Sequence, residues 1–299
     1  REINYNSSKH KKEERDKLKK LQLDIGILLI YIFNHGEDNL IITHNEYKIN
    51  IQPLELDNGK NFIEQCNSKA FVFMSATFNN YKEYFKEVGI EPSEIKYIKG
   101  ISDFNPKKNN PIHPLYKTGN EYKLNYNNIQ NPNSKALKEL YYNVQFILDQ
   151  YPEERGVIHT TSKMLKEAIQ NNVLDDRLVF YEWYNKEKVV NDFVDNVHHN
   201  EVLVTYSHTE GLDLPGDKCR FQILCKVPYP TLADKRTKIM MERNNEWYQL
   251  QAIRTITQTV GRGYRFKEDY CDNYILDSSY RWLIKNRNAK QLRYQTKYR

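Results

Sequence analysis

Apolar positions fall into two patterns along this chain. From residue 134 onward, helical stripes alternate with short apolar runs. Ser134 stands where an N-cap is needed, and Leu137, Leu140, Tyr141, Val144, Ile147 and Leu148 follow at the spacing of one helix face. GVIHTT (156–161) reads as a strand, and Ser162 caps a helix carrying Leu165, Ala168 and Ile169. RLVFYEW (177–183) is a strand, and 186–198 is a helix with Val189, Val190, Phe193, Val194 and Val197 on one side. EVLVTYS (201–207), RFQILCKV (220–227) and DNYILD (272–277) read as strands, and 244–262 as a helix. Strands separated by helices imply a parallel sheet covered by helices on both faces, because each parallel connection needs a crossover.

Ahead of residue 134 the pattern is looser. Residues 9–22 carry mixed charge at helical spacing, and LDIGILLIYIF (23–33) reads as a buried helix or strand. Residues 40–52 alternate and hold β-branched side chains, the signature of a hairpin. AFVFMSAT (70–77) reads as a buried strand ending in small hydroxyl residues. Residues 101–134 hold four prolines and many asparagines, which predicts a linker and a domain boundary.

Composition adds limits. The chain has 299 residues, 39% of them hydrophobic, with a mean hydropathy of −0.82 and a net charge of +6. That length holds one large domain or two ordinary ones. No apolar run reaches the roughly 20 residues of a membrane span. Residues 1–20 carry eight Lys/Arg against four acids, and 280–299 carry seven with no acid, so basicity lies at the two ends. The C-terminal run interleaves Tyr280, Trp282, Tyr294 and Tyr298 with its cations, a pairing suited to a nucleic-acid strand. The cysteines at 66, 219, 225 and 271 form no C-x-x-C pair, so neither a zinc site nor an iron–sulfur cluster is expected. No nucleophile–base pair or dinucleotide glycine motif supports a small-molecule enzyme. The chain begins with Arg rather than Met, and part of something longer is expected.

Chemistry should gather at the carboxyl ends of the strands. If helix 244–262 runs on, Gln258, Gly261, Arg262 and Arg265 share one face at i, i+3, i+4 and i+7. Two guanidiniums beside a glycine make a phosphate-reading surface, since the planar fork binds phosphate oxygens bidentately. A surface helix with Glu268 and Asp269 as salt-bridge partners is the other reading. In TEGLDLPGD (209–217), Glu210 and Asp213 flank Gly211 in a loop after a strand, suited to a ribose hydroxyl, a metal-bound water or a plain acidic turn. His159, Thr160, Thr161 and Ser162 join a strand end to a helix start, where exposed amides attract anions or the hydroxyls simply cap. Ser75, Ala76 and Thr77 close the 70–77 run.

Taken in order, these segments resemble the DinG/XPD-like group of superfamily 2 helicases. SAT (75–77) is similar to motif III, GVIHTTS (156–162) to motif IV, VLVTYSHTEGLDLPGD (202–217) to motif V and QTVGRGYR (258–265) to motif VI. ILCKVPYPTLAD (223–234) and EDYCDNYILDSSY (268–280) resemble the segments that follow motifs V and VI. The resemblance runs through roughly residues 68–282.

It implies two RecA-like domains with ATP between them. Residues 1–39 would end an inserted helical region, 40–115 would be the C-terminal part of the first RecA-like domain, and 116–299 would be the second, with a basic tail. Arg265 would be an arginine finger on the γ-phosphate, with Arg262 in the same role and Gln258 orienting both. Glu210, Gly211, Asp213 and Gly261 would serve the nucleotide side. His159, Thr160, Thr161, Ser162 and Thr209 would touch DNA, and Ser75, Ala76 and Thr77 would transmit closure. The sequence lacks G-x-x-x-x-G-K-[ST] and D-E-x-H. ATP and Mg2+ would therefore be held mainly by an N-terminal RecA-like domain, in cis or in trans, and this chain alone is expected to be inactive.

The expected activity is that of an ATP-dependent helicase on single-stranded DNA, with RNA left open. The alternative is a catalytically silent nucleic-acid-binding or regulatory protein that retains the fold. A cytoplasmic setting, bacterial or phage, with no membrane partner, completes the expectation.

Overall fold

A computed structural model describes the chain apart from residues 1, 37–38, 45–48, 55–57, 67, 76–79, 101–103, 197–198, 207–212 and 299. The chain forms two compact units. One comprises Arg1–Phe73, Tyr81–Lys96 and Leu232–Met240, and the other Met74–Asn80, Tyr97–Thr231 and Met241–Arg299.

The first unit begins with a long helix, α1 (Glu2–His35). It takes in both the charged stretch 9–22 and the apolar run 23–33. That run is helical but not buried: Leu23, Ile27, Leu29, Ile30 and Phe33 are exposed. The expected hairpin is present, with β1 (Leu40–His44) antiparallel to β2 (Ile49–Pro53) and Leu40 opposite Pro53. Ile41 and Leu54 are buried. Lys235 and Arg236 donate to the carbonyls of Ile42 and Leu54 at 2.7 and 2.8 Å, tying 232–240 to this unit.

The expected strand at 70–77 does not form over 70–75, and 76–77 lie outside the described residues. Val72 and Met74 are exposed. A buried strand needs neighbours that satisfy its amides and cover both faces, and among the described residues none pairs with this run. Phe73 does pack edge-on against buried Phe85, with ring centroids 5.0 Å apart.

The second unit is built on a six-stranded, wholly parallel sheet. Its strands are β3 (Ile112–Pro114), β4 (Gly156–His159), β5 (Leu178–Val179), β6 (Val202–Thr205), β7 (Phe221–Leu224) and β8 (Asp272–Ile275). Their order is β3-β8-β7-β4-β6-β5. This is the RecA-like sheet the sequence predicts. It begins before residue 116, because Ile112 pairs with Asn273 and is fully buried. The 101–134 stretch is thus not a plain linker; it holds a sheet strand and helical turns at Pro106–Asn109 and Tyr126–Gln130.

Strand periodicity sorts the core. Ile158, Val202, Val204, Phe221, Ile223 and Tyr274 pack with helices α2 (Lys135–Gln150) and α3 (Lys163–Asn172). On alternate positions, Val157 and Leu203 meet Phe193 of α4 (Lys186–Asp195), while Leu224 and Ile275 meet α5 (Asn245–Val260). Both predicted caps form: Ser134 accepts from Leu137 N at 3.2 Å and Ser162 from Leu165 N at 3.3 Å. Strand 177–183 is cut to two residues, since Tyr181 turns inward and bonds Thr205 Oγ1 at 2.7 Å.

Candidate functional site

The predicted residues fall in two places: His159 and Thr161 lie at the carboxyl ends of β4, β6 and β7, while the 261–265 segment lies beside Cys219 and Cys271, ahead of β7 and β8. A cleft at the first place is lined by His159, Thr161, Thr205, Tyr206, Lys226 and Thr259. The turn from β4 into α3 is tight, and Thr161 takes φ of 65°. A β-branched residue in that left-handed region is strained, a condition concentrated at functional sites. Thr160 faces the other way. It is fully buried, and its hydroxyl is directed at the carbonyls of Ser162 (3.1 Å) and Thr205 (3.2 Å), so a strand contact through its side chain passes to its neighbours. Burial lowers the pKa of the Lys226 ammonium, with Asp277 partly offsetting it. A partly dehydrated cation opening on hydroxyls favours an anion there.

The arginine segment departs from the expected single helical face. Helix α5 stops at Val260, Gly261–Gly263 form one 3-10 turn, and Tyr264 is extended. Gln258 is exposed on the last helical turn, while Arg265 lies beyond the helix. A Cβ on Gly263 would sit 2.5 Å from Cys271 Sγ, so only glycine lets the chain press onto that buried thiol. The space beside Gly261 is open.

The segment is held by its main chain at three points. Val260 O accepts from Asn110 Nδ2 at 3.0 Å, Arg262 O from Leu214 N at 3.4 Å, and the carboxylate of Asp269 accepts from Arg265 N at 3.1 Å. The Arg265 side chain, 43% exposed, forms an ion pair with Asp213. Segments similar to motifs V and VI therefore meet. Thr209, Glu210 and Gly211 lie outside the described residues, as do Ala76 and Thr77, and Ser75 is exposed.

Sequence reasoning missed a buried amide chain behind this site. With His159 Nε2 carrying the proton, it donates to Gln222 Oε1 (3.2 Å), Gln222 to Asn273 (3.0 Å), Asn273 to Asn110 (2.7 Å), and Asn110 to the Val260 carbonyl. The available signal was an amide residue within each of two predicted strands, Gln222 in β7 and Asn273 in β8. Asp269, expected as a surface charge partner, is instead buried.

The residues present suit a contact to polyphosphate, through Arg265 and the open space at Gly261, without making up a whole nucleotide site. Among the described residues, no group of three or more His, Cys, Asp or Glu side chains converges to hold a metal. Nor is any helix among them long and apolar enough to cross a membrane.

On this RecA-like fold, residues 148–295 match the family described as helicase C-terminal domain. Over 88 residues the chain is 28% identical to the regulator of telomere elongation helicase 1 homologue of Caenorhabditis elegans, covering 24% of this chain and 9% of that protein. Over 237 residues it is 23% identical to ATP-dependent DNA helicase CHL1 of Debaryomyces hansenii, covering 68% and 28%. It superposes on a solved structure of XPD in its apo form with a TM-score of 0.57 at 17% identity, covering 95% of this chain and 59% of that one. The chain is thus similar to the C-terminal portion of DinG/XPD-like helicases, with the family match covering just under half of it. It spans less than a third of the length of these curated relatives.

Proposed function

We propose that this chain supplies the arginine-bearing half of an ATP-driven motor that moves along single-stranded DNA. Arg265 contacts the γ-phosphate of ATP bound by an N-terminal RecA-like domain, with Arg262 beside it. The Asp213 ion pair holds Arg265 until nucleotide arrives. The observation that carries this reading is the segment 260–265: its main chain is fixed at three points by other parts of the unit, and Arg265 projects from it half exposed. An arginine so fixed stabilises charge in the phosphoryl-transfer transition state, worth about 10³–10⁵ in rate in other nucleotide hydrolases. Because it acts only when the two domains close, hydrolysis is tied to movement.

On the nucleic-acid side, His159, Thr161, Ser162 and Thr209, the last outside the described residues, are read as contacts to the strand, and we add Lys226, which lines one cleft with His159 and Thr161, as a phosphate contact. Residues 1–39 are read as the end of an inserted helical region and the stretch that follows as the closing part of the first RecA-like domain, ending ahead of β3, which belongs to the second sheet. Mg2+ and most of the nucleotide contacts belong to the phosphate-loop domain, so the 299-residue chain alone should not turn over ATP.

The test is ATP hydrolysis by the complete gene product, with and without single-stranded DNA, beside its Arg265→Ala variant. DNA-stimulated turnover that falls about 10³-fold or more in the variant, with DNA binding retained, is the expected result. Wild-type protein that binds DNA without turnover would replace the motor by a silent binding protein.

A further inference from the structure

The Asp269 carboxylate has no solvent exposure and four hydrogen bonds. Oδ2 accepts from the main-chain N–H groups of Arg265 (3.1 Å) and Gly216 (3.2 Å). Oδ1 accepts from Arg220 Nη1 (3.0 Å) and from the N–H of Tyr270 (2.9 Å). Arg220 is itself locked, bonding Asp217 through Nε at 3.2 Å and lying over the Tyr270 ring at 4.2 Å. A buried carboxylate is tolerated only when its charge is paired and its lone pairs are filled, and here both conditions hold.

Two of those bonds join segments far apart in sequence. One ends at the residue from which the arginine side chain departs. The other ends at Gly216, whose φ of 61° lies in the left-handed region, three residues after Asp213 in the segment that follows β6. The same oxygen thus ties the root of Arg265 to the loop that carries its ion-pair partner. We propose that Asp269 is a positioning residue for Arg265, setting where the guanidinium is presented relative to Asp213. This rests on the reading of Arg265 as the phosphate contact.

An asparagine at 269 has one acceptor oxygen and must turn an N–H toward donors. It can keep the Arg265 and Gly216 pair or the Arg220 and Tyr270 pair, not both. A displacement near 1 Å at a group meeting the transition state costs on the order of 100-fold in rate.

The experiment measures kcat and KM for ATP in the complete gene product with saturating single-stranded DNA, well below the unfolding midpoint of every variant. Asp269→Asn should lower kcat about 10- to 100-fold with KM within about threefold. In an Arg265→Ala background the same change should lower kcat no further, because it acts through that side chain. Arg220→Met, which removes the ion partner and leaves the Arg265 N–H bond, should lower the unfolding midpoint while kcat stays within about threefold. If Asp269→Asn does not fold, Asp269→Glu keeps the charge for Arg220 and shifts the oxygens by one carbon–carbon bond. It should show the same kcat loss.

Wild-type kcat in a folded Asp269 variant would overturn the proposal, as would equal kcat losses in the Arg220 and Asp269 variants, which mark a purely structural carboxylate. Full turnover in Arg265→Ala overturns instead the reading of Arg265, and this inference with it.

Discussion

Residues 159–162 follow the carboxyl end of β4, residues 260–265 lie beside residues that precede β3, β7 and β8, and the two segments are organised in opposite ways. At 159–162 the side chains hold the backbone: Thr160 reaches two carbonyls and Ser162 caps α3. At 260–265 the backbone is held by groups from elsewhere, namely Asn110, Leu214 and Asp269. The first arrangement spends polar side chains on local shape. The second leaves the arginine side chain to project from a fixed root. Hydroxyls do not by themselves mark a ligand contact, and the partners of the main chain decide which side chains remain for one.

The contrast can be broken most severely through the amide chain. Asn273→Leu would strand the Gln222 amide and leave the Asn110 carbonyl oxygen without its donor. About 3 kcal/mol of stability should be lost, read by urea unfolding. Gly263→Ala comes next. The added methyl meets Cys271 Sγ at 2.5 Å, and about 2 kcal/mol is expected, together with weaker packing of the arginine turn. Ser162→Ala should be the smallest, about 1 kcal/mol for the lost cap. If Ser162→Ala costs as much as Asn273→Leu, the two regions are not built differently and the comparison collapses.

Much of this was legible in the sequence because it is local. The caps at Ser134 and Ser162 follow from residue type and the helix stripe behind them. The parallel sheet follows from the alternation of elements, and the meeting of Asp213 with Arg265 fits the motif order. What was not legible depends on distant partners. The 70–77 run has the composition of a buried strand, yet composition supplies no neighbour to pair with. Ile112 looks like linker because its partner, β8, lies near the other end of the chain. The turn after Val260 sets Gly263 against Cys271, a neighbour that the helical stripe does not reveal. Asp269 reads as a surface acid until Arg220 and three amide groups converge on it.

Strand order also carries a consequence for how the molecule is made. In the sheet order β3 neighbours β8, and His113 meets Asp272 across 159 residues of sequence. The main chain at Lys297 then closes on the Ile112 carbonyl at 2.8 Å. Until β8 has left the ribosome, β7 keeps an open edge and β3 lacks its partner strand. Such non-local closure slows folding and leaves an unpaired strand edge exposed to other chains meanwhile. A nascent chain halted before β8 should therefore aggregate rather than wait.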